Sequence, residues 1–436
     1  MHRNLPGRST GLTRKGFLSG ALVLGTALLL PHRALGETVA KAQTAAIPVP
    51  IDHNAPGGGT FSLPYLLVDR FDPRLETVFV VADGQQFYVR DDVLPSYRAF
   101  FGDGVNIIGL PGRGTAPALL DAIAGAGPDA AGVDWARAYR LLQYRQWIDD
   151  IDAVRAALLG RDGKIALFGV SGGGRMVHEY MSVHGAHAAR CYTESAVFTP
   201  IEAEIGVQHD RFWSEISADD RQKLSDALAR RPDQRGQYAQ LLQRQNFFVG
   251  EDAIGAARHD LIALIAADDK PRLAEAAKAY QVDAIQAMEE GRTGWPIRVR
   301  EYEFVAPLLA GAGPMPGFRP DIEVSRLIAQ PLLDLHAAGG IAAPTVAVDR
   351  LNAVKAEALI VAGRNDHTAD YRAQIGLAAH YPDHRLLLLD DDHQMHRLKE
   401  IPGARAALLQ AWLQGFGAPA FAAATQRIDS LRWREG

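Results

Sequence analysis

Ser171 is the residue most able to do chemistry. It stands in Gly169-Val170-Ser171-Gly172-Gly173, after an apolar run, Ile165 to Phe168, and before a helical pattern through Met176, Val177, Tyr180 and Met181. A G-x-S-x-G turn between strand and helix strains the serine backbone and pushes Oγ out above the sheet. Glycines two residues to either side let strand and helix pack closely. The Gly172 N–H then faces a developing oxyanion, helped by the positive end of the helix. Glycine-rich strand–helix turns that do no chemistry share this pattern, so its partners decide the reading.

A serine hydroxyl needs a base, and the base needs an orienting acid. Both are expected later in the chain, each just past a strand end. Asp366 follows the apolar run Ala356 to Ala362, in Gly363-Arg364-Asn365-Asp366-His367-Thr368. His393 follows His384 to Leu389, in Asp390-Asp391-Asp392-His393-Gln394-Met395-His396. Their separation of 27 residues leaves room for one crossover helix, around Tyr371 to Tyr381, and one strand. The expected roles are Ser171 as nucleophile, His393 as base and Asp366 as acid, with His396 the rival base. A second oxyanion donor is expected in the loop after Thr77 to Ala82, at Gly84 or Gln85.

Other chemistries have weaker support. Asp392-His393-x-x-His396 lacks a third ligand at a familiar spacing, so no metal is expected. Cys191 lies in an apolar run and reads as a buried thiol. Gly112-Arg113-Gly114 reads as a structural turn, not a nucleotide loop. No cofactor is implied.

The positioning elements follow from hydrophobic periodicity. Thr77 to Ala82, Asn106 to Leu110, the Ser171 strand and Cys191 to Val197 read as buried strands. Trp147, Ile151, Val154 and Leu158 mark one face of a helix over Gln143 to Gly160, with Gly160 as its C-terminal cap. Val49 to Val68 reads as an antiparallel hairpin at a sheet edge. Strands and helices alternating in this way predict an α/β fold, a mainly parallel sheet with helices on both faces. Residues 201–345 break the rhythm with helices at Ser217 to Arg231, Gln234 to Asn246, Asp252 to Ala267 and Pro271 to Glu290; Trp295 to Phe304 reads as the next strand. The expected organisation is a core over 37–200 and 346–436 with a helical cap inserted over 201–345, and a flexible stretch over 37–48.

The first 36 residues hold Arg3, Arg8, Arg14, Lys15 and Arg33, no acid, and an apolar stretch too short for a stable span. They read as an export leader of twin-arginine character, implying a periplasmic or secreted protein. With one cysteine no internal disulfide is possible. Across 436 residues the formal charge is −5 and 47% of residues are hydrophobic, which suits a large buried core and gives no basic surface for nucleic acid.

These features together resemble the α/β-hydrolase superfamily, and within it the prolyl and tripeptidyl aminopeptidase family. Val49-Pro50-Ile51-Asp52-His53, Asp149-Asp150-Ile151-Asp152-Ala153-Val154-Arg155, the Ser171 turn and Gly363…Asp366 are similar to that family's motifs over about residues 49–200 and 350–410. The resemblance implies an α/β-hydrolase fold, a Ser-His-Asp triad and a short-peptide substrate whose free amine meets carboxylates, for which Glu194, Glu301 and Glu303 are the candidates. Three positions depart from the family. Asp83-Gly84-Gln85-Gln86 replaces a Gly-Gly-Pro-Gly run, Gly172 replaces an aromatic residue, and aspartates precede His393 in place of a small residue. An ester or lactone substrate for the same triad, and a non-catalytic binding protein of the same fold, are the alternatives.

Overall fold

The computed structural model describes residues 42–433, apart from 84–88, 125–132, 207–210, 284–285, 287–289 and 312–317. The leader-like segment 1–36 and the oxyanion candidates Gly84 and Gln85 therefore lie outside the described residues.

Eight strands form one sheet: β1 (Gln43–Pro50), β2 (Thr60–Val68), β3 (Glu76–Val81), β4 (Val105–Leu110), β5 (Ile165–Val170), β6 (Ala188–Glu194), β7 (Glu357–Gly363) and β8 (His384–Leu389). Their order is β1-β2-β4-β3-β5-β6-β7-β8. The pairs β1–β2 and β2–β4 are antiparallel, and all pairs from β4 to β8 are parallel. This is the expected α/β architecture. Gln43 to Pro48 belong to β1 and pair with Leu67 to Ser62, which corrects the expectation of a flexible stretch there. Backbone pairing with β2 orders this edge segment, and Ala45 and Ile47 pack against the core.

The central strands are apolar throughout because both faces are covered. In β3, Phe79 and Val81 pack with Trp147, Ile151, Met176 and Tyr180 on one face. Val78 and Val80 pack with Tyr97, Phe101, Leu408 and Trp412 on the other. On the first face lie α1 (Tyr144–Leu159), which ends at Gly160 with φ 76°, and α2 (Gly172–His184).

Between β6 and β7 the described residues form helices and loops and no strand. They include Ala218–Arg230, N-capped by Ser217, α3 (Arg235–Phe248), Glu251–Ala267, Lys270–Ala279, α4 (Gly294–Gly311) and α5 (Pro320–Ala337). These helices share an apolar cluster that includes Leu224, Tyr238, Leu242, Ile262, Ile265 and Ile328.

The strand expected at Trp295 to Phe304 is instead the start of α4. Trp295, Val299, Tyr302 and Val305 pack into the sheet-side core. Ile297 packs into the separate cluster of inserted helices. Trp295, Val299, Tyr302 and Val305 keep helical spacing on one face, but a helix wedged between two apolar bodies also buries Ile297 on another, and the two faces read together imitate alternation.

Candidate active site

Ser171 occupies the tight turn between β5 and α2 with φ 54° and ψ −123°. A left-handed φ on a non-glycine residue costs about 1–3 kcal/mol and persists only where neighbours hold it. Here the Ser171 N–H donates to the Glu194 carbonyl at 2.9 Å, and the Ser171 carbonyl accepts from Gly174 and Val197 at 3.0 and 3.1 Å. The surrounding glycines are required by contact. A Cβ on Gly169 would meet the Gly173 carbonyl oxygen at 2.4 Å, and one on Gly174 would meet Ala196 Cβ at 2.7 Å.

Asp366 and His393 come from the loops after β7 and β8, on the same edge of the sheet. His393 Nδ1 lies 2.9 and 2.8 Å from the two Asp366 oxygens, and its Nε2 lies 3.1 Å from Ser171 Oγ. The structure thus brings the three residues into one hydrogen-bonded row. Asp366 is itself fixed, since its Oδ1 accepts from the N–H groups of Thr368 and Ala369, both at 2.8 Å. Asp366 is 1% exposed and His393 4%, so bulk water screens neither. Burial, the largest influence on His393, favours the neutral ring. The Asp366 carboxylate, then Asp392 and Asp321, outweigh it and hold the imidazole above its ordinary pKa. The Phe247 ring of α3 meets the imidazole edge-on at 5.3 Å.

The loop carrying His393 is built by the aspartates before it. Asp391 accepts from the N–H groups of Asp392, Leu398 and Arg397 at 2.9, 2.8 and 3.1 Å. Burial pushes its carboxyl up to about 6 against these bonds. Asp392 Oδ2 takes His396 Nδ1 at 2.6 Å, which turns the rival base away from Ser171. A Cβ on Gly363 would strike the Asp391 carbonyl oxygen at 2.6 Å, so glycine is needed where the β7 and β8 loops cross.

The three carboxylates expected to receive a substrate amine are all engaged within the protein. Glu194 is 1% exposed. It pairs with Arg405 at 2.9 Å and accepts from Tyr192 Oη at 3.0 Å. Glu301 pairs with Arg300 and accepts from Ser325 Oγ at 2.6 Å. Glu303 accepts from the Tyr144 N–H at 3.2 Å. Burial and then Glu179 push its carboxyl up to about 8. Their sequence positions were suggestive, but the arginines that pair with Glu194 and Glu301 approach from α6 (Ala404–Leu413) and from the neighbouring residue in α4.

Other expectations find their places. Burial pushes the Cys191 thiol far up, away from the thiolate form. Arg113 is fully buried, pairs with Asp150 at 2.7 Å and donates to the Leu141 carbonyl at 2.8 Å, so its glycine-rich turn ties elements together. A cavity of about 930 Å³ is lined by Tyr139, Arg175, Glu179, Glu303 and Ile341 and by none of the triad residues. Among the described residues one set, Asp152, His184 and His187, has ligand atoms within 4.8 Å of one another. Asp152 is already bonded to Arg155, His187 and Tyr180 there. No described helix is long and apolar enough to cross a membrane.

Sequence reasoning passed over three neighbours of the triad. Asp83, just past β3, lies against Gly172, and Arg300 of α4 donates to it at 2.6 Å. Phe247 packs on His393. The only signal in the sequence was the departure from family pattern at positions 83 and 172.

No protein-family model matches the chain, and no curated protein matches it in sequence. Solved structures are similar at low identity. A proline iminopeptidase from Mycobacterium smegmatis is 17% identical, with 87% of this chain and 100% of that chain covered and a TM-score of 0.43. An esterase, EaEST from Exiguobacterium antarcticum, is 12% identical over 81% and 97%, with a TM-score of 0.39. MGS-M2, an alpha/beta hydrolase enzyme from a Medee basin deep-sea metagenome library, is 10% identical over 82% and 96%, with a TM-score of 0.40. The strand order, the antiparallel β1–β2 edge and the parallel β4-to-β8 run, with a serine turn after β5, give this chain the α/β-hydrolase fold.

Proposed function

We propose that the protein is a serine hydrolase acting through an acyl-enzyme. The observation that carries this is the row Asp366–His393–Ser171, with Ser171 held in the left-handed region at a strand–helix turn. Ser171 Oγ attacks an acyl carbonyl while His393 Nε2 takes its proton. The carbonyl oxygen becomes an oxyanion beside the Gly172 N–H. As the first residue of α2, Gly172 has no acceptor within the helix for that N–H. His393 then gives the proton to the leaving group, and water, activated in the same way, releases the acid. Asp366 holds Nδ1–H toward itself, which leaves Nε2 as the acceptor, and stabilises the imidazolium that forms.

Within this class an ester or lactone substrate fits better than a peptide N-terminus. An ammonium leaving water needs a carboxylate, and Glu194, Glu301 and Glu303 are each already engaged. The aminopeptidase reading rests on the sequence resemblance. The inserted helices, which bring Phe247 onto the base, are the elements that would limit substrate size. The leader-like residues 1–36 place the activity outside the cytoplasm in this reading, and cell fractionation checks that part.

The decisive experiment is labelling with a fluorophosphonate probe. Wild type should react and Ser171→Ala should not; equal labelling of both refutes the proposal. Comparison of kcat/KM on matched acyl esters and amino-acyl amides separates the substrate classes. A preference for amides that is lost on acetylating the amine would restore the aminopeptidase reading.

A further inference from the structure

Both departures beside the nucleophile meet at one spot. Asp83 Oδ2 lies 2.0 Å from where a Cβ on Gly172 would stand, so the carboxylate fills the space of the side chain that would follow Ser171. The same oxygen accepts from Arg300 Nε at 2.6 Å. Arg300 also pairs with Glu301 through Nη1, another corner of the guanidinium. The Asp83 side chain is 4% exposed and that of Arg300 13%, so the pair is largely out of water. Asp83 comes from just past the end of β3 and Arg300 from α4, one of the inserted helices.

A carboxylate against the first residue of a helix is favourable in the resting protein, because the helix N-terminus is positive. That residue is also the one whose N–H must steady negative charge during acyl transfer, and an anion already beside it opposes that charge. We propose that Arg300 is a positioning residue for acyl transfer: its guanidinium, shared between Asp83 through Nε and Glu301 through Nη1, fixes and partly offsets the Asp83 carboxylate that replaces a side chain at Gly172, and so keeps the oxyanion side of Ser171 electrically permissive. The pairing also makes turnover depend on the seating of α4 over the sheet, since the cation arrives only with that helix. This inference rests on the serine-hydrolase reading.

The test is a double-mutant cycle on the full chain, read by p-nitrophenyl acetate hydrolysis and by the rate of fluorophosphonate labelling. At an effective dielectric near 20, a carboxylate that has lost its paired cation, several Å from a developing oxyanion, slows the reaction about 10- to 100-fold. Arg300→Met should therefore lower kcat and the labelling rate by about that factor, with KM little changed. Asp83→Asn, which removes the anion, should stay within about three-fold of wild type, and, with Glu301→Gln added to every member of the cycle so that no carboxylate is stranded, Asp83→Asn with Arg300→Met should return to the level of Asp83→Asn alone. Arg300→Lys, which keeps the charge, should retain most of the rate. A plain structural strut gives the opposite pattern, with both single variants and the double falling alike, and that result overturns the proposal. So does an Arg300→Met variant as fast as wild type. If Arg300→Met does not fold, Arg300→Gln, which keeps a polar side chain without the charge, is read in its place, and an Arg300→Gln variant as fast as wild type overturns the proposal. Wild type that shows no Ser171-dependent labelling refutes the hydrolase reading itself, whereas labelled wild type with an insensitive Arg300 refutes this inference only.

Discussion

Asp366→Asn tests the proposed triad most sharply, because the structure dictates which way the new amide must face. Asp366 Oδ1 accepts two backbone N–H groups, from Thr368 and Ala369, both at 2.8 Å. An asparagine there must put its carbonyl oxygen in that place, since an NH2 would face two donors. Its NH2 then falls at the Oδ2 position, 2.8 Å from His393 Nδ1. The amide oxygen stays 2.9 Å from Nδ1 but already holds two N–H groups; facing the NH2 donor at 2.8 Å, Nδ1 becomes the acceptor, and the proton moves to Nε2, which points at Ser171 Oγ 3.1 Å away. The ring can no longer take the serine proton. A tautomer error of this kind lowers kcat by about 1,000- to 10,000-fold, or about 4–5.5 kcal/mol. The variant should also lose its pH signature. In wild type Asp366 outweighs burial and raises the His393 pKa, so the acid limb of kcat/KM should lie above the ordinary histidine value of about 6.5. Without that charge, burial dominates and the limb moves down. Linkage has the matching sign: His393 stabilises the fold below the ordinary histidine range, and this contribution is lost as pH rises through the elevated value. The assay is p-nitrophenyl ester hydrolysis from pH 5 to 9 on both proteins, with thermal melts to show that each is folded. A variant that keeps a tenth of wild-type kcat, with its acid limb unmoved, would refute the reasoning.

Three further perturbations follow from the buried charges. Burial, then Glu179, raises the Glu303 carboxyl from 4.5 to about 8. The folded state therefore holds a proton that the unfolded chain releases, and stability falls as pH climbs between those values. Glu303→Gln should raise the melting temperature at pH 8.5 and leave it nearly unchanged at pH 5, as thermal melts would show. Arg405→Met strands Glu194, 1% exposed, without its 2.9 Å partner; chemical denaturation should register a loss of about 3–5 kcal/mol. Asp391→Ala frees three backbone N–H groups in the loop that carries His393. It should cost about 1–3 kcal/mol of stability and lower kcat more than it raises KM, as steady-state kinetics would reveal.

The sequence by itself determined the local frame of the site. Ser171 between an apolar strand and a helix, and Asp366 and His393 each just past an apolar run, follow from periodicity and glycine placement, which depend on near neighbours in the chain. The α/β class was legible for the same reason, since strands buried on both faces are continuously apolar. Tertiary structure decided the rest. Trp295 to Phe304 reads as a strand until two apolar bodies close around it and make it the start of α4. Glu194 reads as a candidate ligand for a substrate amine until Arg405 reaches it from 211 residues away. Gly172 reads as a missing side chain until the Asp83 carboxylate is found in its place, with a cation from a distant helix behind it. Charge pairing across hundreds of residues leaves no period in a sequence, because Coulomb and contact energies depend on distance in space and not on separation along the chain.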